Sequence, residues 1–259
     1  MSENQGDLWQ SCEGGKYISP LSGTLYRLVE SQEQVATRQL VATLEEQSVL
    51  EDIVEGKKPP YPTHSKNPAS LENLHYLLKT PFRYPPLKWG SRFGRVFEPS
   101  IFYGGCSVDV TLIESAYYRF ILFQSISNPL NRSLRSQHTL FSVNYKTDKG
   151  VRLQNAPFEA HINLISHPFD YSHSQRLGTA MRNSGVEAFE YPSARAKGNA
   201  VCAGLFTGNG FSSTSPAIRE QWFCDVTQDT VVFKSAEASV VVSFDLSMFL
   251  DDGVLPHPA

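Results

Sequence analysis

The chain lacks an uninterrupted apolar run of the length a membrane helix needs, about 20 residues. It has no cysteine pair at metal-binding or redox spacing and no marked excess of either charge. The missing apolar run excludes a helical membrane span. The balance of 23 Lys and Arg against 26 Asp and Glu, net −3, argues against direct nucleic-acid recognition through a broad basic face. The four cysteines, Cys12, Cys106, Cys202 and Cys224, stand far apart and read as free thiols in a reducing compartment. The start, Met1-Ser-Glu-Asn-Gln-Gly-Asp7, has neither the basic nor the apolar region of a signal peptide. Repeats, low-complexity tracts and heptads are missing as well. The expectation is a cytoplasmic protein without membrane contact.

What is present suffices for a real core: 41% of the 259 residues are hydrophobic and 12% aromatic, while 19% are charged. The length fits one large domain, or one domain with an extension. Residues 1–26 are polar and glycine-rich and are expected to be loosely attached. Ser31-x-x-Gln34 and Ser48-x-x-Glu51 resemble capping boxes, so helices are predicted from Ser31 to near Gln47 and again through Ile53. Gly56-Lys-Lys-Pro59-Pro60-Tyr-Pro62 ends that region, and a further helix is predicted from Pro68 to Leu78.

The character then changes to alternating strands. Val96 to Tyr103 is predicted to be a strand. Ser107 is placed as the N-cap of a helix to about Phe123, with its apolar stripe at Leu112, Ile113, Ala116, Tyr117, Phe120 and Ile121. Phe141, Val143 and Tyr145 alternate with polar residues, and Asp148-Lys-Gly150 reads as the turn of a hairpin returning through Gln154. A helix from Ser172 to Asn183 is expected to stop at Ser184-Gly185. Strands follow at Glu187–Tyr191, Val201–Phe206, Gln221–Val226, Thr230–Lys234 and Ser239–Leu246. The fold class is therefore α+β: helices in front, mostly antiparallel sheet behind.

The chemistry-bearing residues concentrate between Gly90 and Phe120. Arg92, Tyr103 and Glu114 fall at equal spacings of eleven, running from a loop through a strand into a helix, and a detached Tyr191-Pro-Ser-Ala-Arg195 follows. Arg92 and Arg95 flank a glycine, and a guanidinium fork matches phosphate oxygens in two-point contact. Glu114 lies at the edge of its helix's apolar stripe, a position that suits a cleft-lining carboxylate and equally a boundary residue. Taken singly, the arginines also fit solvated loop residues, and Tyr103 fits a core aromatic.

Other arrangements carry less. Gly208-Asn-Gly210-Phe-Ser-Ser213 lacks the third glycine of a dinucleotide loop. His161, His167 and His173 are spaced by six, unlike a helical zinc pair. Ser193, His173 and Asp170 lack a nucleophile elbow. Cys106 has no evident base and reads as a small buried residue.

Together the motifs resemble the RES family of bacterial toxins: Tyr26-Arg27, Gly90-Ser91-Arg92-Phe93, Phe102-Tyr103, Glu114, and Pro192-Ser193-Ala194 followed by Asn199. The resemblance covers roughly residues 85–210 plus Tyr26-Arg27. It implies a core like that of ADP-ribosyltransferase toxins and breakdown of NAD⁺ at the nicotinamide–ribose bond. Phosphate, water or a protein is the implied acceptor, NAD⁺ being substrate with no further cofactor or metal. It also implies an Xre-type antitoxin partner that blocks the site, in a hetero-oligomer. Glu114 is then the catalytic carboxylate, Arg92 the pyrophosphate grip and Tyr103 the packing partner of nicotinamide or its ribose. Arg27 assists or receives the acceptor phosphate, Ser193 binds substrate or orients Glu114, and Asn199 contributes to binding. A binding module without catalysis is the alternative of another class.

The domain division expected is an N-terminal tail and helical extension over 1–84, a catalytic domain over 85–246 and a C-terminal tail over 247–259. The stretch between Arg27 and Arg92, longer than in compact family members, is read as a helical insertion that covers the cleft or makes an interface.

Overall fold

A computed structural model describes residues 7–31, 69–126 and 133–257, with positions 43, 45, 46, 49, 50 and 53 between them. The central feature is a strand circuit. β1 (Ser19–Glu30) runs antiparallel to β3 (Leu134–Arg152), from Ser19 opposite Gly150 to Glu30 opposite His138. Its other edge meets β2 (Phe102–Gly105), which pairs with β5 (Val201–Leu205). β5 pairs with β4 (Ala188–Pro192), and β4 runs parallel to the end of β3. The path β1-β2-β5-β4-β3-β1 therefore closes on itself.

β3 is long enough to do two jobs. Its first half also pairs with β6 (Ile218–Val226), which continues to β7 (Thr230–Ser235) and β8 (Val241–Asp245) as an antiparallel wing. β3–β4 is the parallel pair; the other pairings are antiparallel.

Four helices matter for the site. α1 (Leu8–Ser11) is a single turn capped by the Asp7 carboxylate. α2 (Tyr76–Arg83) starts where His75 Nδ1 accepts the Leu77 amide, and a separate helical turn at Ala69–Glu72 precedes it. α3 (Val108–Ser125) starts at Ser107, whose Oγ accepts from the Val110 amide at 3.2 Å. It buries Leu112, Ile113, Ala116, Tyr117 and Phe120, the predicted stripe except for half-buried Ile121, against the β6–β8 wing. Each large side chain so buried contributes about 1.5–3 kcal/mol. α4 (Ser172–Asn183) occupies the predicted span and packs with α1 on the β4–β5 face. Val186 N–H then donates to Met181 C=O beyond left-handed Gly185, the expected helix stop.

Several sequence expectations are corrected. Residues 7–30 are not loosely attached: Leu8, Trp9 and Cys12 are buried in the core, and β1 is an integral strand of the circuit. The predicted hairpin at Asp148-Lys-Gly150 does not form. β1 alongside Thr147 and Gly150, and β4 alongside Gly150–Arg152, pair the chain straight through, so tertiary pairing overrides the local turn signal.

The strand predicted from Val96 begins only at Phe102. The helix predicted from Pro68 to Leu78 is broken before His75. The C-terminal segment is packed, with Phe249 and Leu255 buried around α3 and the Tyr117 hydroxyl donating to Pro256 C=O. Of the helices predicted between Ser31 and Ile53, helical backbone is seen at Glu45, Glu46, Val49, Leu50 and Ile53. The remainder of that stretch lies outside the described residues.

Candidate active site

A cavity of about 420 Å³ opens where β1, β2 and α3 meet. Its wall includes Arg27, Arg92, Tyr103 and Glu114, so four side chains far apart in sequence converge there. Glu114 is its one carboxylate among the described residues; Arg27 and Arg92 are its two cations.

Glu114 reaches the cavity because β2 turns tightly into α3. A Cβ on Gly105 would lie 2.6 Å from Thr111 Oγ1 and 2.7 Å from its amide nitrogen, so only glycine allows the helix to start against the strand. Thr111 ties the same corner to β1 by donating to Tyr26 C=O at 3.1 Å. Glu114 comes one turn later and is half-buried, as its rim position in the helical pattern suggests.

Ser193 is fully committed in hydrogen bonding. Its Oγ accepts from the amides of Arg195 (3.1 Å) and Ala196 (3.0 Å), and its O–H donates to Glu114 Oε1 at 2.5 Å. A serine hydroxyl has one proton and two lone pairs, so none remains for another partner. The Cys202 thiol lies 3.8 Å from the same oxygen. Arg195, flagged in the sequence motif, is buried with its guanidinium carbon 3.4 Å from the Tyr117 ring centroid. It therefore braces the Ser193 turn.

Arg92 is held on three sides. Its Nη1 donates to His167 C=O at 2.7 Å, its guanidinium stacks on Tyr171 at 4.5 Å, and its own C=O accepts from Ser174 Oγ at 2.6 Å. Burial works against its charge, but Tyr171, Glu114, Tyr191 and Tyr118 outweigh it and leave the pKa above its ordinary value. The loop carrying Arg92 lies directly on α4. A Cβ on Gly178 would sit 1.9 Å from Phe93 O.

Tyr103 O–H shares a 3.0 Å hydrogen bond with Ser91 Oγ and accepts from the Phe93 amide at 3.0 Å. Burial pushes its pKa up to about 12 despite these bonds, so it stays protonated. Tyr103 thus orders the arginine loop while lining the cavity.

Arg27 stands apart from the other cation. Its guanidinium lies 4.8 Å from the Phe102 ring centroid, while Nη1 is buried without a hydrogen-bond partner. Burial lowers its pKa to about 10, which leaves it charged at neutral pH.

Asn199 does not join this group. It is exposed in the loop between β4 and β5 and is not part of the cavity wall. Arg95 also stays outside, its amide bound to Glu98. Cys106 has its thiol pKa pushed up to about 11 by burial, against a reactive role. Among the described residues no group of three or more His, Cys, Asp and Glu is placed to hold a metal.

Sequence reasoning missed Tyr118, Tyr171 and Cys202. Tyr118 was legible as the residue one helical turn beyond Glu114. Tyr171 and Cys202 carry no local signal.

The chain matches the RES domain family over residues 68–226 and belongs to that family. Among solved structures, it is similar to a chain of the M. tuberculosis MbcT–MbcA toxin–antitoxin complex, at 12% identity and a TM-score of 0.46. That likeness covers 86% of this chain and 94% of that one. A comparison with curated proteins finds no match.

Proposed function

We propose that this protein degrades NAD⁺ by cleaving its nicotinamide–ribose bond, acting as the toxin of a toxin–antitoxin pair. The observation that carries the reading is Glu114: the one carboxylate among the described residues of a cavity with two arginines, fixed by the Ser193 hydroxyl. Membership of the RES family supports it.

The substrate's nicotinamide carries a positive charge and leaves as a neutral ring. As the bond stretches, positive charge moves onto the ribose ring oxygen and anomeric carbon. A carboxylate already in place stabilises that charge most strongly in the transition state. Glu114 takes this part, and Ser193 holds it in position. Arg92 and Arg27 hold the phosphates, and Tyr103 packs against the nicotinamide end. Water or phosphate then attacks the anomeric carbon and loses a proton to solvent. The leaving group needs no metal to depart. In the cell, the cytoplasm would supply NAD⁺, and an antitoxin of Xre type would cover the cavity.

The deciding experiment is incubation of pure protein with NAD⁺, with and without phosphate. Expected is nicotinamide release together with ADP-ribose, or its 1-phosphate when phosphate is the acceptor. Release must be lost in Glu114→Ala. No release in either buffer, or undiminished release by the variant, sinks the reading.

A further inference from the structure

A second cavity of about 370 Å³ adjoins the first, and the two share Arg27, Leu87, Gly90, Ser91 and Tyr103 in their walls. They are two chambers on either side of one partition. The second is walled by α2 and the proline-rich segment after it, residues with no place in the chemistry above. Tyr76 and Tyr84 line it and are 40% and 41% exposed. Pro85 and Pro86 stiffen its wall.

Two hydroxyls of this chamber already donate to the backbone. Thr80 Oγ1 donates to Tyr76 C=O at 2.6 Å, and Ser100 Oγ donates to Tyr84 C=O at 2.6 Å. No carboxylate lines it among the described residues. The chamber is thus mostly apolar and, among the described residues, free of negative charge. At its boundary stands Arg27, whose buried Nη1 has no hydrogen-bond partner. A buried guanidinium nitrogen left unpaired is costly, and an anionic ligand group at that point removes the cost.

We propose that the second chamber is the adenosine subsite of the dinucleotide, with the pyrophosphate crossing the partition at Arg27 and the purine stacking on Tyr76 and Tyr84. The assignment rests on the NAD⁺ reading above and adds residues from α2 to it. The wall offers no carboxylate or side-chain amide among the described residues, so the purine is held chiefly by its face. The subsite should therefore accept guanine in place of adenine.

The test uses the full-length protein with ADP as probe, by calorimetry, and NAD⁺ and nicotinamide mononucleotide as substrates. Expected is ADP binding that weakens about tenfold in Tyr76→Ala/Tyr84→Ala, in line with loss of a base–aromatic stack. The same variant should raise KM for NAD⁺ by a similar factor, leave kcat unchanged, and leave KM for the mononucleotide unchanged. Guanine and adenine dinucleotides should give KM values within a few-fold of each other.

Both tyrosines are partly exposed, and an unchanged melting temperature would show that the variant still folds. If no nicotinamide is released from any substrate, the NAD⁺ reading fails while ADP binding still decides the subsite. If NAD⁺ is cleaved but ADP does not bind, or the double variant behaves as wild type, the subsite is wrong and the function stands.

Discussion

Ser193 and Glu114, separated by 79 positions in sequence, share a 2.5 Å hydrogen bond in which the serine donates and the carboxylate accepts. Two backbone amides fix the serine from the other side. The β4–β5 loop therefore sets the orientation of a carboxylate carried by α3, and this division of labour can be measured.

Replacing Glu114 by Gln should lower kcat for nicotinamide release by about 10²–10³-fold, the usual cost of removing a preorganised transition-state contact. Ser193→Ala leaves the carboxylate in place but loosely aimed, so a smaller fall, roughly tenfold, is expected with little change in KM. Steady-state kinetics on both variants decides it. Equal losses would show that Ser193 does more than orient.

Gly178→Ala tests the support under Arg92. Its Cβ would lie 1.9 Å from a backbone oxygen of Phe93, which cannot rotate away. Destabilisation of about 3 kcal/mol is expected from such overpacking, with a raised KM because the Arg92 loop must lift. Urea titration and kinetics give the two readings. An unchanged urea midpoint would mean that the loop does not rest on α4.

Stability should depend on pH through His138, which is fully buried on β3. Burial, with the Arg119 charge adding to it and Glu30 opposing, lowers its pKa from about 6.5 to about 4. Between those values the unfolded chain binds a proton that the folded one refuses. Stability is therefore lost as pH falls from about 6.5 towards 4, by up to about 3 kcal/mol in total. Urea midpoints measured at pH 5 and 7.5 should differ more in wild type than in His138→Gln. A parallel shift in both would assign the effect to other groups.

Trp9→Ala addresses the N-terminal segment. Trp9 is 7% exposed and stacks on Phe158 at 6.0 Å, so truncation should cost about 3–5 kcal/mol. Calorimetry showing wild-type stability would restore the loosely attached segment that the composition suggests.

The contrast with that composition shows where sequence reading runs out. α3 and α4 were legible because their apolar stripes and caps are local signals. Arg92, Tyr103 and Glu114 were legible as a set, and the structure brings them to one cavity. β1 was not, because Ser19 to Glu30 is fixed through distant partners, mostly β3 residues more than a hundred positions away. The false hairpin at Gly150 has the same origin: a turn-forming tripeptide is outvoted by strands on both sides. Asn199 was placed by motif order alone, and order along the chain does not decide which way a loop residue faces.

The closed circuit also imposes a timetable on synthesis. Thr24 bonds to Asn144 across 120 positions, and at about 5–20 residues per second a ribosome needs roughly 6–24 s to make that stretch. Until then β1 has at most its short β2 partner, and Arg27 has only part of its chamber to line. The nascent chain thus remains without its cleft until most of it has been made, and a partner that recognises the finished cleft has nothing to hold before then.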